Sequence, residues 1–315
     1  MTTGEHLAAP AGRAVVDAVE HPMVIAALAR MGGSGGWARV LDGKPLEDPL
    51  DLADADLLVS ARVIERLGVG YEVLRKESYL TDPAALTRSM LAQLQRALQH
   101  ARSGGAGWTG EDLDLVRNQG QGSAASADLI ADDLLRWLPS AMASFTGGHG
   151  RFLDVGTGVA AISRALCARF EGLHCVGLDV LAPVLGVARA EIEHDGYADR
   201  ISLRLLSVVE LEDESAFDLA WVPQIFIPRE EMITGLARVY AAVRPGGGVI
   251  VPTIAPPECA DPMEQAVMVH AGHVLGGGPI QVEDAHTLLS DAGFVDVRDH
   301  DYGGQVVMTA ARPEL

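Results

Sequence analysis

Two acidic residues and a glycine turn carry the clearest chemistry in this sequence. The segment 152–159, Phe-Leu-Asp-Val-Gly-Thr-Gly-Val, predicts a buried strand, a tight turn and the start of a helix. Glycines at 156 and 158 let backbone approach a ligand, and the helix N-terminus offers unpaired N–H groups. Asp154 precedes the first glycine, and Asp179 ends the next apolar run, 23 residues after Gly156. A carboxylate that holds a ribose belongs at that distance in a βαβ unit, so the spacing indicates a nucleotide-like ligand.

The second half of the chain alternates strand and helix patterns around this turn. Strands are predicted near 151–156, 174–180, 201–207, 217–223 and 247–254, closing strands at 294–298 and 305–310, and helices near 159–170, 182–195 and 229–242. Regular alternation predicts a parallel sheet covered on both faces. Ligands of such sheets bind beyond the carboxyl ends of the strands, where the glycine turn lies.

Two further segments complete a family pattern. Phe217-Asp-Leu-Ala-Trp-Val-Pro223 reads as a strand that opens into a loop, and Arg244-Pro-Gly-Gly-Gly248 precedes the apolar strand Val249-Ile-Val251. With the glycine turn and the strand ending at Asp179, they make residues 150–315 resemble the class I S-adenosylmethionine-dependent methyltransferases. The Pro-Gly-Gly turn separates this pattern from NAD-binding Rossmann proteins. The resemblance implies an α/β fold with a Rossmann-like seven-stranded sheet, an antiparallel last strand and S-adenosylmethionine as cofactor.

The resemblance also implies roles for single residues. In that family the glycine turn packs against the methionine part of the cofactor, the first acid helps hold its amino group, and the second acid takes both ribose hydroxyls. The cofactor-binding residues implied here are Asp154, Gly156, Thr157, Gly158, Asp179, Val180, Ser207, Val208 and Gln224. The alternative interpretation is a purely structural turn, with Asp179 as an N-cap for a helix over 182–194.

Two positions depart from the family pattern. Ala160 stands where a third glycine is common, which is a small change. Ser207 stands where an aspartate commonly meets the adenine amino group, and a hydroxyl is a weaker acceptor than a carboxylate. Adenine affinity is therefore reduced, or Glu210 takes over this contact.

The first hundred residues predict a smaller, mostly helical domain. Helical patterns cover 13–31 (ended by Gly32–Gly36) and 53–67, a two-strand wing follows with its turn near Lys76, and another helix starts at Thr81. This order resembles the winged-helix N-terminal domain of small-molecule methyltransferases related to the O-methyltransferases of secondary metabolism. The resemblance implies that the domain forms a dimer interface and does not read DNA. The predicted organisation is a dimerisation domain at 1–115, a linker helix at 116–148 and a catalytic domain at 149–315.

The linker supplies candidate substrate contacts. Residues 117–126, rich in Gln, Gly and Ser, lead into an amphipathic helix predicted over 127–145. In the resembled family a helix in this position passes over the cofactor pocket. The candidates to contact the substrate are therefore Gln119, Gln121 and Ser123, together with Trp221 and Phe226 after the fourth strand. The alternative is a helix-capping loop in which Ser123 or Ser126 is the N-cap.

Candidate catalytic residues follow from the chemistry of methyl transfer. Transfer is an in-line displacement at a sulfonium carbon, so orientation supplies much of the effect, and a base is needed only when the acceptor brings its proton. O-methyltransferases of the resembled group usually place a histidine after strand four or five, but this loop carries Gln224. Gln224 could orient the acceptor or bind the cofactor. His270 and His273, spaced i, i+3 on a helix predicted over 263–275, are candidate bases, with an ordinary surface pair as the alternative.

Composition limits the partners. The formal charge is −19, the pI is about 4.8, and there is no basic patch with interleaved aromatics, so nucleic acid is not expected as a partner. Three cysteines give no disulfide framework, and no third ligand joins the histidine pair, so no metal is expected. No membrane-length apolar run or signal segment is evident, which predicts a cytoplasmic protein without a membrane partner.

These observations predict a homodimeric S-adenosylmethionine-dependent methyltransferase that acts on a small molecule of specialised metabolism by positioning. N- or C-methylation, or O-methylation of an acidic hydroxyl, would need no strong base. The alternative is a methyltransferase-fold protein that has lost methyl transfer and serves another reaction, such as an intramolecular substitution, or a structural or binding role. Ser207 and the few candidate bases motivate that alternative. A DNA-binding regulator built on the winged helix is disfavoured by the acidic charge.

Overall fold

The structure, a computed structural model, divides the chain into two compact units, Met1–Met90 and Leu91–Leu315. It describes residues 24, 26–28, 30–74, 95, 108, 112–253, 262–302 and 306–314. Most of the helix predicted over 13–31, the wing turn predicted near Lys76 and the helix predicted from Thr81 lie outside the described residues. The second unit includes the segment 116–148 that the sequence predicts as a linker.

The N-terminal unit contains helices followed by a hairpin. Its elements are α1 Gly36–Leu41, α2 Pro49–Ser60, β1 Ile64–Leu67 and β2 Gly70–Val73. Helix α2 starts at Pro49 because the Asp48 carboxylate accepts from the backbone N–H groups of Leu50 and Asp51. Met31, Trp37, Leu58 and Ile64 lie in its core.

The structure describes a hairpin that the sequence did not predict. Its turn lies at 68–69, where Gly68 adopts a φ of 61°. A two-residue turn needs positive φ, which glycine adopts freely, so Gly68 fixes the register. Residues 64–67 form the first strand of this hairpin and do not continue the preceding helix, which ends at Ser60.

The second unit is built on a seven-stranded sheet. Its strands are β3 Arg151–Val155, β4 His174–Asp179, β5 Ile201–Leu205, β6 Phe217–Trp221, β7 Val243–Thr253, β8 Val295–Asp301 and β9 Val306–Ala311. The order across the sheet is β5-β4-β3-β6-β7-β9-β8, and β9 is antiparallel to both of its neighbours. The predicted fold class, the strands and the antiparallel last strand are confirmed.

Helices cover both faces of the sheet. They are α3 Leu113–Ser123, α4 Ser126–Asp132, α5 Pro139–Thr146, α6 Ala161–Arg169, α7 Ala182–His194, α8 Arg229–Ala242, α9 Pro262–Leu275 and α10 Val282–Asp291, with short 3-10 turns at Leu134–Trp137, Val208–Glu210 and Gln224–Phe226. Alternating strand residues enter two cores: Leu153 and Val249 face one, and Phe152 and Ile250 face the other. This alternation is the two-residue period of a strand buried on both faces.

Residues 112–146 contain three α-helices, and two sequence expectations for this segment were wrong. The start of the predicted linker belongs to helix α3, since the Asp112 carboxylate accepts from the Leu115 N–H and Leu115 and Val116 are buried. Neither Ser123 nor Ser126 is an N-cap, because Ser123 ends α3 and the N-cap of α4 is Ala125. The single helix expected over 127–145 is broken into three pieces, and Pro139 opens the last one.

Candidate functional site

The glycine turn joins β3 to α6 at the carboxyl edge of the sheet. Gly156, Gly158 and Ala160 all have φ values near 60°, in the left-handed region, so the chain reverses without projecting side chains from the two glycines. The turn is fixed to the neighbouring strand, because the Thr157 N–H donates to the Leu178 carbonyl at 2.8 Å. The backbone of the turn is therefore set before any ligand arrives.

Asp154 closes the turn from inside. Its side chain is 2% exposed, and Oδ2 accepts from the Thr157 hydroxyl at 2.8 Å and from the Ser163 hydroxyl at 2.7 Å. Burial raises the pKa of Asp154 to about 6, while its hydrogen bonds with the Ser163 and Thr157 hydroxyls oppose the rise. Asp154 therefore ties the turn to α6, and in this state its bonds are made to the protein itself.

Asp179 ends β4 and faces the same turn. Its Oδ2 accepts from the Gly158 N–H at 3.0 Å, and its Oδ1 accepts from the Leu181 N–H at 2.9 Å. Burial raises the pKa of Asp179, and backbone hydrogen bonds oppose that rise. Unlike Asp154, this carboxylate is partly exposed, and the side chain of Val180 beside it is 62% exposed. An open carboxylate with an apolar neighbour suits a sugar next to a flat ring.

Two glycines outside the motif let other elements pack closely on the turn. A Cβ on Gly177, in β4, would lie 2.7 Å from Thr157 Oγ1, and one on Gly120, in α3, would lie 2.2 Å from Val159 Cγ2. Sequence reasoning missed both residues, together with Ser163. A glycine inside a strand pattern signals close backbone approach, so Gly177 could have been found.

Helix α3 packs over the starts of α6 and α7. Val116 lies in one apolar cluster with Val159 of the turn, Ala161 at the start of α6 and Val184 in the first turn of α7. Gln119 and Ser123 bond to one another on this helix: the Gln119 amide nitrogen donates to the Ser123 hydroxyl at 3.4 Å. The structure thus brings these two predicted residues close to the glycine turn through the helix that carries them.

The end of β6 carries three predicted residues with different environments. Trp221 is buried in the core beneath the sheet edge. Phe226 is partly exposed, and its ring meets Trp108 edge-on with the ring centroids 6.1 Å apart. Between them, Pro223 Cγ lies 3.8 Å from where a Cβ on Gly156 would be, so this loop borders the glycine turn.

Gln224 is engaged with a distant segment of its own chain. Its amide nitrogen donates to the carbonyls of Gly277 and Gly278, both at 3.1 Å, and its side chain is buried. The Gly277 N–H donates back to the Ile225 carbonyl at 3.1 Å. A Cβ on Gly277 would lie 1.9 Å from the Gln224 carbonyl oxygen, so only glycine fits there. Gln224 therefore attaches the end of α9 to the end of β6.

The remaining predicted residues lie on α9 and in the 3-10 turn that follows β5. His270 and His273 are exposed on α9. The Ser207 hydroxyl accepts from the Val209 N–H at 3.4 Å, and the Glu210 carboxylate accepts from the Ser207 N–H at 3.3 Å, a reciprocal capping box. The Val208 side chain lies in the core, where a Cβ on Gly235 would meet it at 2.7 Å.

Neither a metal cluster nor a bilayer-spanning helix is found in the part of the chain that the structure describes. No group of three or more His, Cys, Asp or Glu side chains among those residues is placed to hold an ion. None of their helices combines the length and apolar character needed to cross a bilayer.

Comparison with known proteins decides the nature of this sheet. Residues 152–247 match the sequence model of the Methyltransferase domain family. The segment that holds the glycine turn and Asp179 is therefore similar to methyltransferase domains. The Methyltransferase GfsG of Streptomyces halstedii is 32% identical over 127 residues, which are 39% of this chain and 44% of that protein. The chain spans less than half the length of the curated relatives that it matches.

Solved structures extend the likeness to almost the whole chain. The S-adenosylmethionine-dependent methyltransferase SibL in its apo form has a TM-score of 0.61 at 20% identity, and the match covers 96% of this chain and 99% of SibL. The pyocyanin biosynthetic protein PhzM has a TM-score of 0.62 at 20% identity, with the same coverage. At this identity the likeness shows the fold. In the fold of this chain, the glycine turn, Asp179 and α3 meet at one edge of the sheet.

Proposed function

We propose that this chain is an S-adenosylmethionine-dependent methyltransferase that acts on a small molecule in specialised metabolism. One observation carries the proposal: the partly exposed Asp179 carboxylate sits at the carboxyl end of β4 and accepts from the Gly158 N–H of a preformed glycine turn. A site of this kind suits a ribose beside a chain that runs along the turn. SibL is described as S-adenosylmethionine-dependent and PhzM as a biosynthetic protein, which supports the same class of cofactor and substrate.

The residues present fit that cofactor. Gly156 and Gly158 leave a cradle that side chains would fill, and the N-terminus of α6 lies beyond it. In this proposal Asp179 takes the ribose hydroxyls and Val180 covers one face of the adenine. Asp154 supports the methionine end indirectly, by holding Thr157 and the shape of the turn, because the Thr157 and Ser163 hydroxyls both donate to its Oδ2. Ser207 and the backbone at Val208 border the adenine, with the Ser207 hydroxyl already bonded within its capping box.

Catalysis in this proposal rests on orientation. When bound, S-adenosylmethionine supplies an electrophilic methyl group on sulfur. The chain's own groups orient the acceptor and exclude water. These groups are Gln119 and Ser123 on α3, Phe226 after β6 in contact with Trp108, and α9, which is attached through Gln224. His270 and His273 stay candidate bases for an acceptor that brings its proton, and both are open to solvent before one binds.

We also propose a homodimer formed through the N-terminal unit. Five large apolar side chains of that unit are exposed: Leu41, Leu50, Leu67, Val69 and Leu74. Val69, at the tip of the hairpin, is 83% exposed. An apolar surface of this kind marks a partner, and a second copy of the chain covers it without any further component. Light scattering at micromolar concentration should give twice the chain mass, and a monomer would refute the dimer.

Calorimetry with S-adenosylmethionine and S-adenosylhomocysteine tests the cofactor, with NADH as the control ligand. We expect both sulfur compounds to bind with micromolar or tighter affinity and NADH not to bind. Methyl-labelled cofactor incubated with a panel of phenols, amines and activated carbon acids then tests transfer. A protein that binds the cofactor tightly yet labels no acceptor in a broad panel would favour the alternative in which methyl transfer has been lost.

A further inference from the structure

Helix α3 rests on the glycine turn at a point where the helix has no side chain. A Cβ on Gly120 would lie 2.2 Å from Val159 Cγ2 and 3.8 Å from Ala161 Cβ. Real Cβ atoms essentially never approach a heavy atom so closely, so the helix axis is nearer the turn than any other residue at 120 would allow. The contact joins α3 to the residue that follows Gly158, within the turn itself.

The contacts around Gly120 fix the position of α3 on the glycine turn. Val116, one helical turn before Gly120, packs with Val159, Val184 and Val187. Gln119 directly precedes Gly120, and Ser123 lies three residues after it. The Ser123 hydroxyl donates to the Gln119 carbonyl at 3.0 Å. Residues spaced by three and four lie on one helix face, so the distance between Gly120 and Val159 also sets how far Gln119 and Ser123 stand from the turn.

We propose that Gly120 is a positioning residue that seats α3 on the glycine turn and so sets the depth of the cofactor site at its methionine end. The helix interior is otherwise a poor place for glycine, which costs about 1 kcal/mol relative to alanine. Gly120 therefore gives up helix stability for close approach. This inference rests on the proposed function for the identity of the cofactor, but the seating of α3 is a property of the free protein.

The test compares two Gly→Ala substitutions in helices. Gly186, in α7, is exposed and has open space around its missing Cβ, so Gly186→Ala is the matched control. Gly120→Ala should weaken S-adenosylhomocysteine binding at least tenfold by calorimetry and speed hydrogen exchange at the amides of residues 113–123 and 156–160. Gly186→Ala should leave the affinity within twofold of the parent and leave that exchange unchanged.

A compensating variant separates positioning from general damage to the fold. Val159→Ala removes the atom that Gly120→Ala would meet, so the double variant Gly120→Ala/Val159→Ala should bind more tightly than Gly120→Ala alone and approach the affinity of Val159→Ala. A merely structural defect would instead add the two losses. Parental affinity in Gly120→Ala, or additive losses in the double variant, would overturn the inference.

The outcomes also distinguish this inference from the proposed function. If the parent binds neither S-adenosylmethionine nor S-adenosylhomocysteine, the cofactor assignment fails and the depth of a cofactor site has no meaning. Hydrogen exchange then tests the packing of α3 on the glycine turn alone. Faster exchange at residues 156–160 in Gly120→Ala, and not in Gly186→Ala, supports the inference. Equal exchange in the two variants overturns it.

Discussion

The glycine turn and the end of β6 lie at the same edge of one sheet but are built differently. At the turn, Asp179 keeps a partly exposed carboxylate directed at the backbone of Gly158. At the end of β6, the amide nitrogen of the buried Gln224 donates hydrogen bonds to two carbonyls of a segment that follows α9. The first region leaves a carboxylate partly exposed, while the second uses its amide nitrogen to hold two segments of the chain together.

In the proposed function, this difference separates the region that binds the cofactor from the region that binds the acceptor. A preformed turn can bind a cofactor, and the groups of this turn are fixed by hydrogen bonds among β3, α6 and β4. The acceptor side is assembled from segments that are far apart in sequence, namely α3, the 3-10 turn at Gln224–Phe226 and α9. Substitutions should therefore lower cofactor affinity in the first region and stability or acceptor use in the second.

Asp179→Ala is the sharpest test of the first region. A carboxylate bond of this kind contributes roughly 1.5–3 kcal/mol, and two ribose bonds together correspond to a loss in affinity of more than about a hundredfold. Calorimetry with S-adenosylhomocysteine measures it. Asp195→Ala, which removes a carboxylate paired with Arg164 at the far end of α7, is the control and should keep parental affinity. Parental binding by a folded Asp179→Ala protein would mean that Asp179 is only a structural residue.

Asp154→Asn tests whether the buried carboxyl group beneath the glycine turn titrates with a raised pKa. The pKa of Asp154 is about 6 in the fold against an ordinary 3.8, so the native state holds this proton more tightly than the unfolded chain. Its contribution to stability is complete below pH 3.8 and is lost as the pH rises through 6. A shift of about two pH units corresponds to roughly 3 kcal/mol.

Asparagine at 154 does not titrate, so the variant should gain stability relative to the parent by roughly this amount between pH 4 and pH 7. Urea unfolding at several pH values gives the difference in the free energy of unfolding. Taking the difference cancels the carboxylates that the two proteins share. Parallel pH profiles for the two proteins would show that Asp154 titrates normally.

Gln224→Ala should separate the second region from the first. The substitution leaves the carbonyls of Gly277 and Gly278 without their donor, at a cost of roughly 1–3 kcal/mol in the free energy of unfolding. Affinity for S-adenosylhomocysteine should stay within twofold of the parent. Gln281→Ala is the control, since Gln281 is exposed and its side chain does not cap α10. A large loss of cofactor affinity would instead make Gln224 a cofactor ligand, as the sequence suggested.

Ala160→Gly should have the smallest effect. Alanine at a φ of 57° carries a strain of about 1–2 kcal/mol, which glycine relieves. The change also removes a fully buried methyl group worth about 0.8 kcal/mol and adds a backbone entropy cost of about 0.5–1 kcal/mol. The net change in the free energy of unfolding should therefore stay within about 1 kcal/mol. Ala161→Gly, one residue later in a right-handed helix, should cost more because it relieves no strain.

The strand, turn and helix around the proposed cofactor site could be predicted from the sequence because their signals are local. The turn, Asp154 and Asp179 lie within 26 residues, and apolar runs mark each strand of the sheet. The family resemblance supplied the antiparallel last strand, and the structure confirms it. Short-range patterns of this kind survive in a sequence because each residue's role depends on its near neighbours.

The acceptor side could not be predicted in the same way. Gln-Gly-Gln-Gly in α3 has the composition of a loop, yet the Gly120 in it is needed for packing against Val159, a contact that no pattern within α3 announces. Gln224 finds its partners 53 and 54 residues later. The hairpin at 64–73 was not predicted, because residues 64–67 continue the apolar pattern of the preceding helix in sequence but form its first strand.

The position of β9 also bears on the order in which the sheet assembles. On the ribosome, β7 and β8 are made before β9, but neither is paired with the other, since β9 lies between them. Until Val306–Ala311 is available, β7 keeps one open edge and β8 has no neighbour in the sheet. Strand β8 therefore joins the sheet only after synthesis has passed Ala311, and the unpaired edge of β7 is the surface most exposed to wrong pairing before then.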